Sequence, residues 1–213
     1  MPKSSLQADK TTTAADKAIE LISKGGIVRL RELKAAGIPE VVVSRLTRAG
    51  RVVRLARGLY QLPDADLQTS HTLAEVAKLV PKGVVCLISA LAYHELTLQM
   101  PPFVWVAIDV HTRQPSHRYP PMRFVRFGKK ALTQGIEEHV IEGVTVKITS
   151  PAKTIVDCFR FRNKIGVDIA ISAMREALRK RRCTPDEIIE LARSLGIASV
   201  VQPYLEAMTT DET

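Results

Sequence analysis

The chain has 213 residues, with 31 Lys and Arg against 22 Asp and Glu, three Cys and 46% apolar residues. That apolar share can fill a core and excludes a largely disordered chain, while the length allows one large domain or two small ones. Cys86, Cys158 and Cys183 make neither a disulfide framework nor a closed zinc site, so they read as reduced core hydrophobes. The opening stretch MPKSSLQADKTTTAADK has no apolar signal segment, and VVCLISALAY (84–93) is too short to span a bilayer. A soluble, cytoplasmic protein is expected.

The formal net charge of +9 is unevenly spread. Residues 1–63 carry 12 Lys and Arg against 5 Asp and Glu, whereas residues 64–213 carry 19 against 17. A basic module joined to a nearly neutral one predicts nucleic acid at one end and a different task at the other.

Residues 1–12 are polar and unpatterned, and disorder is expected there. Ala18, Leu21 and Ile22 recur at helical spacing between Ala14 and Lys24, and Gly25-Gly26 ends that helix. Ile27-Val28-Arg29 reads as a short strand and Leu30 to Ala36 as a second helix. Pro39 opens a third helix at its first position, and Gly50 closes it. Two β-prone runs, 52–56 and 59–62, then flank Arg57-Gly58 and predict a hairpin ending at Pro63. Helix, strand, helix, helix, hairpin is the order of a winged helix-turn-helix, here over residues 14–63.

Residues 64–72 read as a polar linker, and 70–210 as a mixed α/β domain that ends in a helical cluster. Helices are expected over Leu73–Leu79 and Ile88–Leu96, the latter with Ser89 near its start. VWVAID (104–109), MRFVRF (122–127), EEHVI (137–141) and VTVKIT (144–149) read as strands, with Glu142-Gly143 turning the last pair. The loop 111–121 has three prolines and is expected to be irregular. Ser150 caps a helix with Pro151 at its first position, running to about Phe161. A turn at Asn163–Gly166 precedes a helix over Val167–Lys180. Thr184, Pro185 and Glu187 start the next helix with a capping box, and a last helix covers about 198–208. The fold class is therefore α+β.

In a helix-turn-helix the second helix of the motif enters the major groove. Here that is the helix after Pro39. Val42, Val43 and Leu46 form its inward stripe, and Val41, Ser44, Arg45 and Arg48 share the opposite face. Arg45 or Arg48 can read guanine, Ser44 a phosphate or base, and Val41 a thymine methyl. Arg51, Arg54 and Arg57 lie within and beside the hairpin, and no acid occurs between residues 41 and 63. Five unbalanced arginines repel one another unless an anion neutralises them, as DNA phosphates would. Arg29, Arg31 and Lys34 could add phosphate contacts. Tyr60 could stack on a base or pack inward.

Chemistry elsewhere is sparse. Ser89 and His94 are five apart on one helix and lack a G-x-S-x-G context, so they read as a cap and a packed histidine. His111 and His117 have no partner at ligand spacing. Asp109, Glu137, Glu138 and Lys147 faintly suggest the carboxylate-plus-lysine sites of metal-dependent nucleases. Arg175 to Arg182 form a basic helix end that either complements the helix dipole or extends a DNA track.

The joint order of G-L-Y at the hairpin, S-A-L-x-x-H at 89–94 and S-P-A-K-T-x-x-D at 150–157 resembles the AbiEi-type antitoxins. These are the repressor half of bacterial type IV, or abortive-infection, toxin–antitoxin systems. The resemblance spans about residues 16–208. It implies a winged helix that binds inverted repeats in double-stranded DNA and represses its own operon. It also implies a C-terminal domain that supports cooperative binding and counteracts a nucleotidyltransferase toxin. The family's recognition positions fall on Ser44, Arg45 and Arg48, its wing on Arg54 and Arg57, and its C-terminal signature on Ser150, Pro151, Lys153, Thr154 and Asp157. Asp157 reads as the partner of a nearby arginine. No catalytic residue, metal, cofactor or membrane is expected. The rival reading is a metal-dependent, nucleic-acid-processing enzyme targeted by a winged helix, which requires carboxylates and a lysine converging in one cleft.

Overall fold

The computed structural model describes residues 13–63, 70–115 and 119–210. The expectations for residues 1–12, for most of the 64–72 linker and for His117 lie outside the described residues. The chain is α+β and forms two compact units, Met1–Asp66 and Leu67–Thr213.

The first unit contains α1 (Ala14–Gly25), β1 (Val28–Arg29), α2 (Leu30–Ala35), α3 (Glu40–Arg48), β2 (Val53–Ala56) and β3 (Leu59–Gln61). Thr13 and Asp16 form a reciprocal capping box at the start of α1. The strands make an antiparallel sheet in the order β1-β3-β2. Pro39 is the N-cap of α3, one position before the expected one, because its ψ of 144° is extended and only Glu40 turns helical. Ala18, Ile22, Leu33, Val43, Leu46, Val52 and Tyr60 close a separate small core. Tyr60 therefore packs inward.

The second unit opens with α4 (His71–Leu79), β4 (Val84–Val85), α5 (Leu87–Tyr93) and β5 (Val104–Asp109). Next come β6 (Met122–Phe127), β7 (Ile136–Ile141), β8 (Val144–Thr149) and α6 (Pro151–Arg160). It finishes with α7 (Arg162–Ile165), α8 (Val167–Arg179), α9 (Pro185–Ser194) and α10 (Ala198–Thr210). The sheet order is β6-β5-β4-β8-β7, with β4–β8 and β5–β6 parallel and the other pairs antiparallel. The middle strand, β4, was not expected. Two residues are too few to show alternation, and the valines read as part of an apolar run.

Further boundaries differ, and the helix expected over Ile88–Leu96 ends at Tyr93, with His94 as its C-cap. His71 and Thr72, expected in the linker, belong to α4. The turn expected at Asn163–Gly166 is largely the short helix α7. Ser89 is not a cap: the N-cap of α5 is Cys86, and Ser89 Oγ accepts a hydrogen bond from the Trp105 amide on β5 at 2.9 Å. Ser150, by contrast, caps α6 as read, its hydroxyl accepting from the Lys153 amide at 3.3 Å. Every residue of α6 from Ala152 to Phe159 is buried, because α5, α8, α9 and α10 all pack on this helix. A helix enclosed on all sides leaves its polar residues no route to solvent.

Candidate nucleic-acid interface

In the first unit, α3 is held by Val43 and Leu46, both buried, while Val41 is 64% exposed. Anchoring one stripe of the helix turns the opposite stripe outward. Ser44, Arg45 and Arg48 are all exposed on that outer face. The hairpin is anchored in the same way by Val52, Leu59 and Tyr60. Arg51 precedes it, Arg54 is on β2 and Arg57 is in the two-residue turn between the paired Ala56 and Leu59, all three exposed. Gly58 adopts φ +75°, the left-handed conformation that closes this turn and that a side chain would resist.

The carboxylates among the described residues of the unit are engaged elsewhere. Asp16 bonds Thr13, which holds its carboxyl below the usual range, and Glu32 accepts from the Arg29 amide at 2.9 Å. Glu20 pairs with Lys24 at 2.6 Å and Glu40 with Lys34 at 2.7 Å, and these contacts lower both carboxyls. Among the described residues, none of Arg45, Arg48, Arg51, Arg54 and Arg57 takes part in an ion pair. Arg54 Nε donates only to the Ala56 carbonyl, at 3.3 Å. The result is a set of guanidinium groups outside any ion pair on one helix and one hairpin, with only the more distant Asp16 and Glu40 acting on Arg51 and Arg54 among the described residues. Lys34 is committed to Glu40 and Arg29 is half-buried, so of the three extra cations only Arg31 remains exposed and unpaired among the described residues.

The second unit continues this pattern only in part. Arg179 and Lys180 share Glu176, whose carboxyl they pull down to about 2, and Arg182 reaches Glu95 at 3.3 Å. The basic end of α8 is therefore partly paired, with Arg175 and Arg181 exposed and outside any ion pair among the described residues. Glu138 on β7 meets Lys147 on β8 at 3.6 Å, but Asp109 ends β5, three strands away from β7. At the usual strand spacing that is about 14 Å, so these carboxylates do not converge. His111 is exposed, and its amide donates to Asp109 Oδ1 at 2.8 Å. His94 bonds the Thr149 carbonyl at 2.7 Å, and burial lowers its pKa. Among the described residues, no group of three or more His, Cys, Asp and Glu is arranged to hold a metal ion.

One pair was missed. Lys153 Nζ donates to Asp157 Oδ2 inside α6, with both side chains fully buried. The partner of Asp157 is thus a lysine one turn back, not an arginine. Lys153 Nζ also lies 4.6 Å from the centre of the Phe127 ring, and Asp157 Oδ1 has no partner among the described residues. Burial pushes the Asp157 carboxyl up to about 6, against the opposing pull of Lys153. The sequence carried only the i, i+4 spacing of Lys153 and Asp157, which an exposed helix shows equally; the enclosure of α6 is what forces them to pair.

Comparison with known proteins bears on the first unit most directly. Among curated proteins, none matches the chain. The crystal structure of the RV2827C protein from Mycobacterium tuberculosis is similar, with a TM-score of 0.58 and 13% identity over 91% of this chain and 80% of that one. At that identity the likeness is one of fold. Residues 16–63, which hold the helices, the hairpin and all five arginines, match the family model described as transcriptional regulator, AbiEi antitoxin.

Proposed function

We propose that this chain is a DNA-binding transcriptional repressor and the antitoxin of a type IV toxin–antitoxin pair. Its first unit is a winged helix-turn-helix, with α3 in the major groove and the β2–β3 hairpin as the wing. The observation that carries the reading is the set of five exposed arginines without carboxylate partners, in a segment that matches a regulator family. Arg45, Arg48 and Ser44 read bases or the adjoining phosphates, and Arg51, Arg54 and Arg57 neutralise the backbone. The duplex is an inverted-repeat operator in the chain's own promoter. Residues 14–63 bind the DNA, and residues 70–210 counteract a nucleotidyltransferase toxin in the cytoplasm.

The test is a binding titration on promoter and random duplexes of equal length. Arg45→Ala or Arg48→Ala should weaken operator binding by about 1–3 kcal/mol and relax preference at one position. Equal loss on both duplexes reduces that residue to a phosphate contact. Binding unchanged in the double variant refutes the interface. Co-expression with an adjacent nucleotidyltransferase gene tests the antitoxin role: no rescue of growth by the intact chain refutes it.

A further inference from the structure

The second unit contains a cavity of about 410 Å³ between the start of α4, α5 and the segments 100–104 and 119–121. Its walls are largely apolar, with Met100, Pro101, Phe103 and Tyr119 among them, and among the described residues no lining residue carries a charge. Every polar side chain in the lining is a hydroxyl. The deepest of these is Ser89, 4% exposed.

Ser89 Oγ accepts the Trp105 amide hydrogen, and among the described residues its own proton has no acceptor. A hydroxyl that already accepts one hydrogen bond is a better donor for the next. A buried donor left unspent in an apolar pocket is costly, and an acceptor atom placed there would recover that cost. The size and lining are those of small-molecule sites, in which an apolar wall supplies affinity and one or two polar groups set orientation.

We infer that this cavity binds an uncharged aromatic molecule that carries a hydrogen-bond acceptor, which takes its hydrogen bond from Ser89. A carboxylate or ammonium ligand would lose its hydration with no counter-charge among the described lining residues. Arg123 does not supply one: it stacks over the outer Phe103 ring, 4.0 Å from its centre, and is not part of the lining.

Three probes of one shape separate the contributions. Acetophenone has the acceptor, α-methylstyrene replaces its carbonyl by a methylene group, and benzoate carries a charge. Each is titrated into the full-length, ¹⁵N-labelled protein, following backbone amide shifts. Acetophenone should saturate shifts at Ser89, Ala92, Tyr93 and Val104. α-Methylstyrene should bind the same place about ten-fold more weakly, the factor of one ordinary hydrogen bond. Benzoate should not bind. Ser89→Ala should erase the ten-fold difference, and Ala92→Phe, which fills the cavity, should abolish both complexes. The inference is overturned by the absence of saturable shifts, by shifts centred elsewhere or by benzoate binding equal to that of acetophenone. It is also overturned if the ten-fold difference survives in folded Ser89→Ala. If that variant does not fold, acetophenone binding unchanged in Ala92→Phe overturns it instead.

Discussion

Removing one member of the buried Lys153–Asp157 pair should have very unequal effects, depending on which is removed. Asp157→Asn strands an ammonium against the Phe127 ring, with both members of the pair at 0% exposure. Breaking a buried pair in this way costs about 3–5 kcal/mol. Lys153→Met strands a carboxyl that titrates near 6 even with its partner present. Removing Lys153 also removes the pull that lowers this carboxyl's pKa, so it can take up a proton rather than remain a stranded charge. With the lost ring contact and hydrogen bond the total is about 2 kcal/mol, and less at lower pH. Replacing both residues, as Lys153→Met with Asp157→Leu, should restore stability to within about 2 kcal/mol of the parent, since two desolvated charges disappear together. The single tryptophan, Trp105, is in the second unit, so its fluorescence in a urea titration reports that unit's unfolding. A Lys153→Met cost equal to that of Asp157→Asn at pH 7, or single costs that simply add in the double variant, would falsify the buried-pair reasoning.

Three other outcomes follow from the same structure. Asp157 has its folded pKa raised above the ordinary value, so the folded state holds the extra proton between about pH 4 and pH 6. Its contribution is present at low pH and lost as pH rises through that window, by about 3 kcal/mol. Parallel urea titrations should show this decline, and its persistence in Asp157→Asn would assign it to another group. Log affinity for DNA should fall by roughly 0.9 per phosphate neutralised for each decade of salt, and Arg54→Ala with Arg57→Ala should flatten the slope by about two units. A slope that does not change takes the hairpin off the backbone. Gly135 has φ +61°, and a Cβ there would come within 2.7 Å of Lys153 Cβ. Gly135→Ala should therefore destabilise the second unit by about 1–3 kcal/mol, and a neutral result in the tryptophan assay would contradict that close approach.

Much of this protein's local structure was legible in its sequence. The strands 104–109, 122–127 and 144–149 have the expected bounds, and Ser150-Pro151 and Thr184-Pro185 start helices where their caps stand. These signals are local: a β-prone run, a hydroxyl that accepts the third amide and a proline whose missing N–H costs nothing at a first turn. The outward stripe of α3 was equally readable, because helical periodicity alone separates Arg45 and Arg48 from Val43 and Leu46. Long-range pairing decided the rest. β4 is a strand only because β5 and β8 flank it, with Val85 opposite both Val106 and Ile148. Ser89 is an acceptor for β5 because the sheet brings the Trp105 amide to it, across 16 residues of sequence. Lys153 and Asp157 carried a spacing that any exposed helix could show, and only the packing of neighbouring helices around α6 turned that spacing into a buried ion pair. Which charges face solvent followed from the period of one helix, whereas which charges were forced together depended on what the whole chain stacked around them.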